Sequence, residues 1–212
     1  MLLAVAWSCR MERLSRTLIQ LHLATRGYHV AADAPWRNLL TPTVRRDAYI
    51  RHLVKVYGFE APLEAAFRYT PGLTSLIDLR ARARSGLLAQ DLIRLGLGPS
   101  RIAQLTQRFA TFASTAEALG WMYVTERATL IHGTIRRHLL SRIPEVVHAS
   151  AYLTAYDGET GDRWSELGAA LEAAVVSPVS KRLLVRSASQ AFAALRTWFM
   201  DEPELSSLAS TI

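Results

Sequence analysis

Apolar residues recur along most of this chain at the three- and four-residue intervals typical of amphipathic helices, and the alternation typical of strands is scarce. In the segment 11–32, Leu14, Leu18 and Leu21 fall on one face of a predicted helix, and polar residues such as Arg16 take the opposite face. Glycine and proline mark short gaps between such segments. The pattern predicts an all-α, single-domain helical bundle.

Further helical regions follow from the same periodicity and from the capping residues between them. They are 43–69 with a bend near Pro62, 73–95, 100–110, 115–142, and two or three helices over 145–200, with a loop over 36–43. Ser114 is expected to cap the long helix over 115–142, and Pro144 to close it. We expect Arg82 and Arg84 on the exposed side of their helix.

The two ends of the chain are expected to lie outside the packed domain, which is predicted over 12–200. Residues 1–11 carry a short apolar run that lacks the positive start and the length of a secretory signal. We expect them to form a disordered leader, with Met11 as an alternative start of translation. Residues 201–212 are rich in serine and are expected to form a flexible tail.

The charge of the chain limits the classes of partner that we expect it to bind. It carries 25 Lys plus Arg against 18 Asp plus Glu, a formal net charge of +7. This balance favours an acidic partner or a ligand that carries carboxylates, while the absence of a dense basic run disfavours nucleic acid. No segment approaches the ~20 apolar residues of a membrane span. The single cysteine, Cys9, excludes an internal disulfide and a thiolate metal cage, and fits a reducing cytoplasm.

Four segments carry residue patterns that occur together in one known family. They read A-T-R-G-Y-H over 24–29, Y-G-F-E-A-P-L-E over 57–64, L-G-W-M-Y-V-T-E over 119–126 and Y-D-G-E-T-G-D-R-W over 156–164. In this order, and with this helical pattern, they resemble the bacterial heme oxygenases that are associated with phytochrome chromophore supply. The resemblance spans about residues 12–200.

The resemblance implies an all-α fold in which heme lies between the first helix and the long helix over 115–142. It implies His29 as the axial ligand of the heme iron, because a neutral imidazole binds iron and leaves the opposite face free. His22 lies on the same helical stripe, where the family places a basic group for a heme propionate, and it competes for the ligand role. Arg26 and Tyr123 complete the expected heme contacts. The spacing of His29 along the helix, taken alone, is also typical of a histidine that packs at a helix end.

In the family, the helix on the distal side of the heme carries glycines just after the position of Glu126. This chain does not have glycines at the corresponding positions. The first glycine is replaced by Arg127 and the small polar residue after it by Ala128. The closing Gly-Gly pair becomes Ile131 and His132. Glycine allows the backbone to approach a macrocycle because it lacks a Cβ. The helix is therefore expected to sit further from the heme, or to rotate so that Gly133 takes over; these five residues are the candidates for the distal, catalytic side.

Two of the substituted positions suggest other roles. His132 is a candidate sixth ligand of the heme iron, and two-histidine ligation would block oxygen binding; a half-exposed polar residue is the alternative interpretation. Arg127 is a candidate partner of a propionate or of Glu126, and an arginine at such a place is also typical of a solvated surface.

Two functions remain open at this point. An enzyme would bind heme through His29, receive electrons from a redox donor protein, and release biliverdin, carbon monoxide and iron. A non-catalytic member would bind heme or another tetrapyrrole as a sensor, a carrier or a partner-binding scaffold. Other chemistries of this helical fold are disfavoured, since Glu145 and His148 provide one Glu-x-x-His motif where a di-iron site needs more, and a thiamin-cleaving enzyme needs a cysteine in the core. No metal other than heme iron is expected.

Overall fold

The computed structural model describes residues 15–201, and within them the chain forms α-helices joined by turns and short 3-10 segments, with no strand. The helices are α1 (Arg16–Thr25), α2 (His29–Arg37), α3 (Arg46–Arg68), α4 (Ser85–Arg94), α5 (Pro99–Ala103), α6 (Thr115–Arg127), α7 (Thr129–Leu140), α8 (Thr160–Ala174) and α9 (Pro178–Met200). The all-α prediction is confirmed. None of these helices combines the length and the apolar character needed to cross a bilayer. The predicted leader, and the predicted tail beyond Asp201, lie outside the described residues.

The opening helical region is divided just before His29. Ser15 caps α1, since its hydroxyl accepts a hydrogen bond from the Leu18 N–H at 3.0 Å. The part of the predicted helix before residue 15 lies outside the described residues. A 3-10 turn, Arg26–Tyr28, separates α1 from α2, and His29 is the first residue of α2. α2 continues through Pro35 and takes in the beginning of the predicted loop. The prediction of one continuous helix is therefore wrong at this point.

The segment before α4 also differs from the prediction. Instead of a helix over 73–95, the chain forms a 3-10 turn and irregular backbone, and α4 begins only at Ser85. Gly72 adopts a positive φ of 74° in the turn between α3 and the 3-10 segment Leu73–Ser75. The Asp78 carboxylate then accepts the Arg80 backbone N–H at 2.8 Å, a local bond that competes with helix formation.

The predicted long distal helix consists of two helices, α6 and α7, which meet at Ala128. Ser114 caps α6 as predicted, since its hydroxyl accepts the Glu117 N–H at 3.3 Å. At the junction, the Thr129 hydroxyl donates to the Glu126 carbonyl oxygen at 2.7 Å. Side-chain hydroxyls that bond to the carbonyls of the preceding turn bend or interrupt helices, and this accounts for the break.

Helices α6 and α9 pack closely against each other. A Cβ atom at Gly120 would lie 2.9 Å from both the Leu184 carbonyl oxygen and the Ala188 backbone nitrogen. Two apolar clusters flank this contact. The first is built from α1, α6, α8 and α9 and includes Leu18, Tyr123, Trp164 and Phe192. The second is built from α2, α3, α4 and α7 and includes Trp36, Tyr49, Leu92, Ile135 and Tyr152. Of the sequence candidates, Tyr123 lies in the first cluster, and Ala128 and Ile131 pack against the second.

Candidate functional site

Two imidazoles lie side by side where α1 gives way to α2. The ring centroids of His22 and His29 are 4.6 Å apart, and the rings are tilted by 49°. His29 Nε2 lies 3.2 Å from the Thr25 hydroxyl oxygen, and His22 Nδ1 lies 3.4 Å from the Tyr123 hydroxyl oxygen. Both imidazoles are half-buried. The structure thus brings together three residues that the sequence assigned to heme.

These imidazoles are neutral at physiological pH. Burial, and then the positive charge of Arg127, lower the pKa of His22; the same two causes, together with His22, lower the pKa of His29 to about 3. The Thr25 hydroxyl donates its hydrogen to the Leu21 carbonyl oxygen at 2.8 Å, so it accepts from the N–H of His29. His29 therefore keeps one nitrogen lone pair, as a metal ligand must.

Arg127 lies beside this pair and closes the space between α2 and α6. Its Nη2 is 3.1 and 3.0 Å from the two carboxylate oxygens of Asp33, which follows His29 by one helical turn. Arg127 is only 7% exposed, so its interpretation as a solvated surface residue is wrong, and its carboxylate partner is Asp33 rather than Glu126. The ion pair links α2 and α6.

An aromatic wall formed by Tyr28 and Phe192 borders the histidines on the side of α9. Their rings are stacked at 5.7 Å with an interplanar angle of 3°, and the Phe192 ring lies 5.5 Å from that of His29. On the two helices that carry the histidines, Leu23 in α1 and Val30 in α2 are 56% and 69% exposed. The site therefore combines a neutral imidazole, a buried cation and apolar surface that reaches the solvent.

His132 faces a different part of the core from His29. Its ring centroid lies 4.8 Å from that of Tyr152 and 5.0 Å from that of Trp36, which also contacts His52 at 4.2 Å. His132 is 4% exposed, which corrects its interpretation as a half-exposed residue, and burial lowers its pKa. Its Nε2 has no hydrogen-bond partner among the described residues. The structure does not bring this imidazole to the histidine pair.

The remaining candidates lie in the 3-10 turn before His29, at the junction of α6 and α7, and on α7. Ala128 forms the junction of α6 and α7, and Ile131 packs against the second apolar cluster. A Cβ at Gly133 would meet Arg137 Nη1 at 3.7 Å, so local packing does not require a glycine there. Arg26 is exposed in the 3-10 turn before His29.

A buried polar cluster on the far side of α6 was not foreseen. The Tyr152 hydroxyl donates to Glu60 Oε1 at 2.7 Å, and Glu60 Oε2 lies 3.2 Å from Arg84 Nη2. Burial raises the pKa of Glu60 to about 7, against the opposing effects of Arg84 and of the Tyr152 hydrogen bond. Arg82 and Arg84 are 5% and 3% exposed, so the prediction that they lie on a helix surface is wrong.

Glu126 connects this cluster to α6. Its Oε1 accepts a 3.0 Å hydrogen bond from the Tyr156 hydroxyl and lies 3.4 Å from Arg82 Nη1. Glu126 follows an almost uninterrupted apolar run in the sequence, and a carboxylate at the end of such a run requires a buried partner. That signal could have indicated the cluster, although it does not identify Arg82 or Tyr156.

Comparisons with known proteins identify the family of the chain. The family model described as Heme oxygenase matches residues 15–201. Heme oxygenase PigA from Pseudomonas aeruginosa is 27% identical over 151 residues, which cover 71% of this chain and 75% of that protein. A crystal structure of the NO- and CO-bound heme oxygenase from Neisseria meningitidis superposes with a TM-score of 0.68 at 20% identity, covering 89% of this chain and 94% of the other. The four motifs predicted this result, and the chain belongs to the heme oxygenase family.

Proposed function

We propose that this protein binds heme between α1–α2 and α6–α7 and cleaves it to biliverdin, carbon monoxide and iron. The observation that supports this most directly is the neutral, half-buried imidazole of His29 at the start of α2. It lies within the cluster that also contains His22, Tyr123 and Arg127, and the chain belongs to a family named for this activity.

The donor set of the site fits heme. His29 supplies a neutral nitrogen ligand, and its low pKa means that no proton has to be removed before iron binds. Arg127 and the exposed Arg26 supply cations for the propionate groups. Tyr28 and Phe192 supply flat apolar surface next to His29. When bound, heme would supply an iron that can activate dioxygen.

The chain's own residues then have distinct tasks. His29 anchors the iron, and Thr25 sets the orientation of its ring through the 3.2 Å contact. His22 and Tyr123, joined at 3.4 Å, form a polar edge beside it. Arg127 is the distal candidate that lies near these groups, since its charge lowers the pKa of both histidines.

Ligation by His132 is not supported by its surroundings. The ring is buried against Trp36 and Tyr152, and α7 would have to turn or shift to direct it toward His29. We therefore propose that His29, and not His132, would hold the iron.

The reaction needs electrons from outside the chain, and we propose that a redox donor protein delivers them. The net charge of +7 suits an acidic donor, because opposite charges accelerate and orient the encounter. The single cysteine suits a reducing cytoplasm as the place of action.

Hemin titration followed by reduction under air tests the proposal. We expect a Soret band that saturates with hemin, and conversion to a biliverdin spectrum once a reductant is added. His29→Ala is expected to abolish conversion, and His148→Ala, at an exposed histidine, to behave as the unaltered protein. A heme complex that persists unchanged under reductant and air would indicate a carrier or sensor instead. A protein that gives no Soret band would contradict heme binding.

A further inference from the structure

We propose that a monovalent inorganic anion of the size of chloride binds in a cavity between α3 and α6, where the guanidinium groups of Arg82 and Arg84 hold it. The cavity is separate from the histidine pair and does not depend on the proposed heme site. Occupation of this cavity gives the protein a second ligand, whose binding is coupled to the pH.

The cavity is small and reaches the surface of the molecule. Its volume is about 20 Å³, which exceeds the roughly 10–15 Å³ that one water molecule needs. The buried side chains of Arg82, Arg84 and Glu126 line it, together with the exposed residues Arg68 and Ala83. The space therefore admits an occupant of the size of a water molecule or a monatomic ion, and this occupant can exchange with the solvent.

Both buried arginines keep unused hydrogen-bond donors. Arg82 directs Nη2 to the carbonyl oxygen of Arg163. Arg84 directs Nη2 to Glu60 Oε2 at 3.2 Å. The Nε and Nη1 atoms of both arginines are buried and have no hydrogen-bond partner among the described residues, which makes four such nitrogen atoms against one such oxygen at the cavity, Oε2 of Glu126. Because unpaired buried donors are strongly unfavourable, the occupant must accept several hydrogen bonds.

The charges that line the cavity balance only while Glu60 is ionised. The charged residues of the lining are Arg68, Arg82, Arg84, Glu60, Glu64 and Glu126. Burial raises the pKa of Glu60 to about 7, and Glu64 and Glu126 add to this increase. Arg84 and the hydrogen bond from Tyr152 act in the opposite direction. Once Glu60 is protonated, the lining carries one more positive than negative charge, which a monovalent anion compensates and a water molecule does not.

The other two glutamates of the lining are engaged by donors of their own. Glu64 Oε1 accepts the backbone N–H groups of Arg84 and Ser85, at 2.6 and 2.8 Å, where the start of α4 adds a partial positive charge. Glu126 Oε1 accepts the Tyr156 hydroxyl at 3.0 Å. The same oxygen lies 3.4 Å from Arg82 Nη1. These contacts offset both carboxylates locally, so the unused N–H groups of the arginines remain for the anion.

Bromide provides a direct test, because it has the charge of chloride and a similar size and scatters X-rays anomalously. Crystals of the full chain, grown without halide at pH 6, are soaked in potassium bromide. We expect an anomalous peak within hydrogen-bond distance of Arg82 and Arg84. A water molecule in the cavity without an anomalous peak would overturn the proposal.

A titration in solution shows whether the anion binds outside a crystal. The line width of the chloride NMR signal reports binding, at an ionic strength held constant with gluconate, which is too large for the cavity. Because the anion binds together with the proton of Glu60, we expect its affinity to fall roughly tenfold from pH 6 to pH 8, as the protonated fraction of a group with a pKa of about 7 does.

Glu60→Gln separates this site from the rest of the positively charged surface. Its neutral amide should preserve the affinity of pH 6 at both pH values. Glu172→Gln, at an exposed site, should keep the tenfold fall of the unaltered protein. Arg82→Met should weaken chloride binding by roughly tenfold or more, whereas the exposed Arg182→Met should not. Arg82→Met is interpreted only if circular dichroism shows a native helix content, and Glu60→Gln decides in its place otherwise.

Two results in solution would overturn the proposal. One is a chloride affinity in the unaltered protein that is the same at pH 6 and pH 8, and the other is an unchanged pH dependence in Glu60→Gln. Neither result would affect heme binding, which the hemin titration tests separately.

Discussion

The hydroxyl of Tyr152 donates a 2.7 Å hydrogen bond to Oε1 of Glu60, and both side chains are buried. The bond joins a residue of α3 to the 3-10 turn before α8, across the second apolar cluster. Glu60 also faces Arg84, so its carboxylate has a cation and a phenol as partners, yet burial still raises its pKa to about 7. This cluster is therefore sensitive to pH in the neutral range.

Glu60 is predicted to make stability fall as the pH rises. Because its pKa is raised to about 7 in the folded protein from 4.5, the folded state holds this proton more tightly than the unfolded chain does. The contribution is present below pH 4.5 and is lost as the pH rises through 7. The free energy of unfolding of Glu60→Gln and of the unaltered protein can be measured with urea at pH 5 and at pH 8. From pH 5 to pH 8, the difference between the two proteins should change by about 2 kcal/mol in favour of Glu60→Gln. Glu172→Gln, at an exposed site, should show no such gain. An identical pH dependence for Glu60→Gln and the unaltered protein would contradict this.

His52 is predicted to act in the opposite direction, on the acid side. Burial lowers its pKa from 6.5 to about 3. Between these two values, the unfolded chain binds a proton at His52 and the folded chain does not. Its contribution is present above pH 6.5 and is lost as the pH falls toward 3. The free energy of unfolding of the unaltered protein should fall between pH 7.5 and pH 4.5. In His52→Phe this fall should be smaller by about 2 kcal/mol. His148→Phe provides the matched exposed control. Equal acid losses in all three proteins would show that His52 is not held neutral.

Gly120 is predicted to be required for packing, since a Cβ there would lie 2.9 Å from backbone atoms of α9. Gly120→Ala should lower the free energy of unfolding by about 1–3 kcal/mol, because backbone atoms cannot move aside as flexible side chains can. Gly133→Ala is the matched control in the same helical region, where the new Cβ would meet only Arg137 Nη1 at 3.7 Å. It should be neutral or stabilising by roughly 0.5–1 kcal/mol. Thermal unfolding of both variants measures the difference, and equal effects would contradict the assignment.

Much of the fold could be predicted from periodicity and caps, because these are local properties. Ser114 caps α6, and α3 extends through most of the region predicted for it. Pro62 lies within α3 and does not divide it. The helix breaks were missed because Thr129 and Asp78 compete for backbone groups through side-chain hydrogen bonds, which a hydrophobic pattern does not record.

The candidate site was predicted in part. The motif that contains His29 also placed His22 on the same stripe, and the structure brings both together with Tyr123. The partner of Arg127 could not be predicted, because Asp33 is 94 positions away and the contact depends on how α2 packs on α6. The surroundings of His132 could not be predicted either, because its contacts with Trp36 and Tyr152 join segments that are far apart in the sequence.

Resonance Raman spectroscopy of the ferrous heme complex tests the central claim most directly, because it reports the bond between iron and its axial histidine. The account predicts an iron–histidine vibration in the unaltered protein and in His22→Ala, its loss in His29→Ala, and its return when imidazole is added to His29→Ala. An iron–histidine vibration that persists in His29→Ala and disappears in His22→Ala would contradict the assignment of His29 as the ligand.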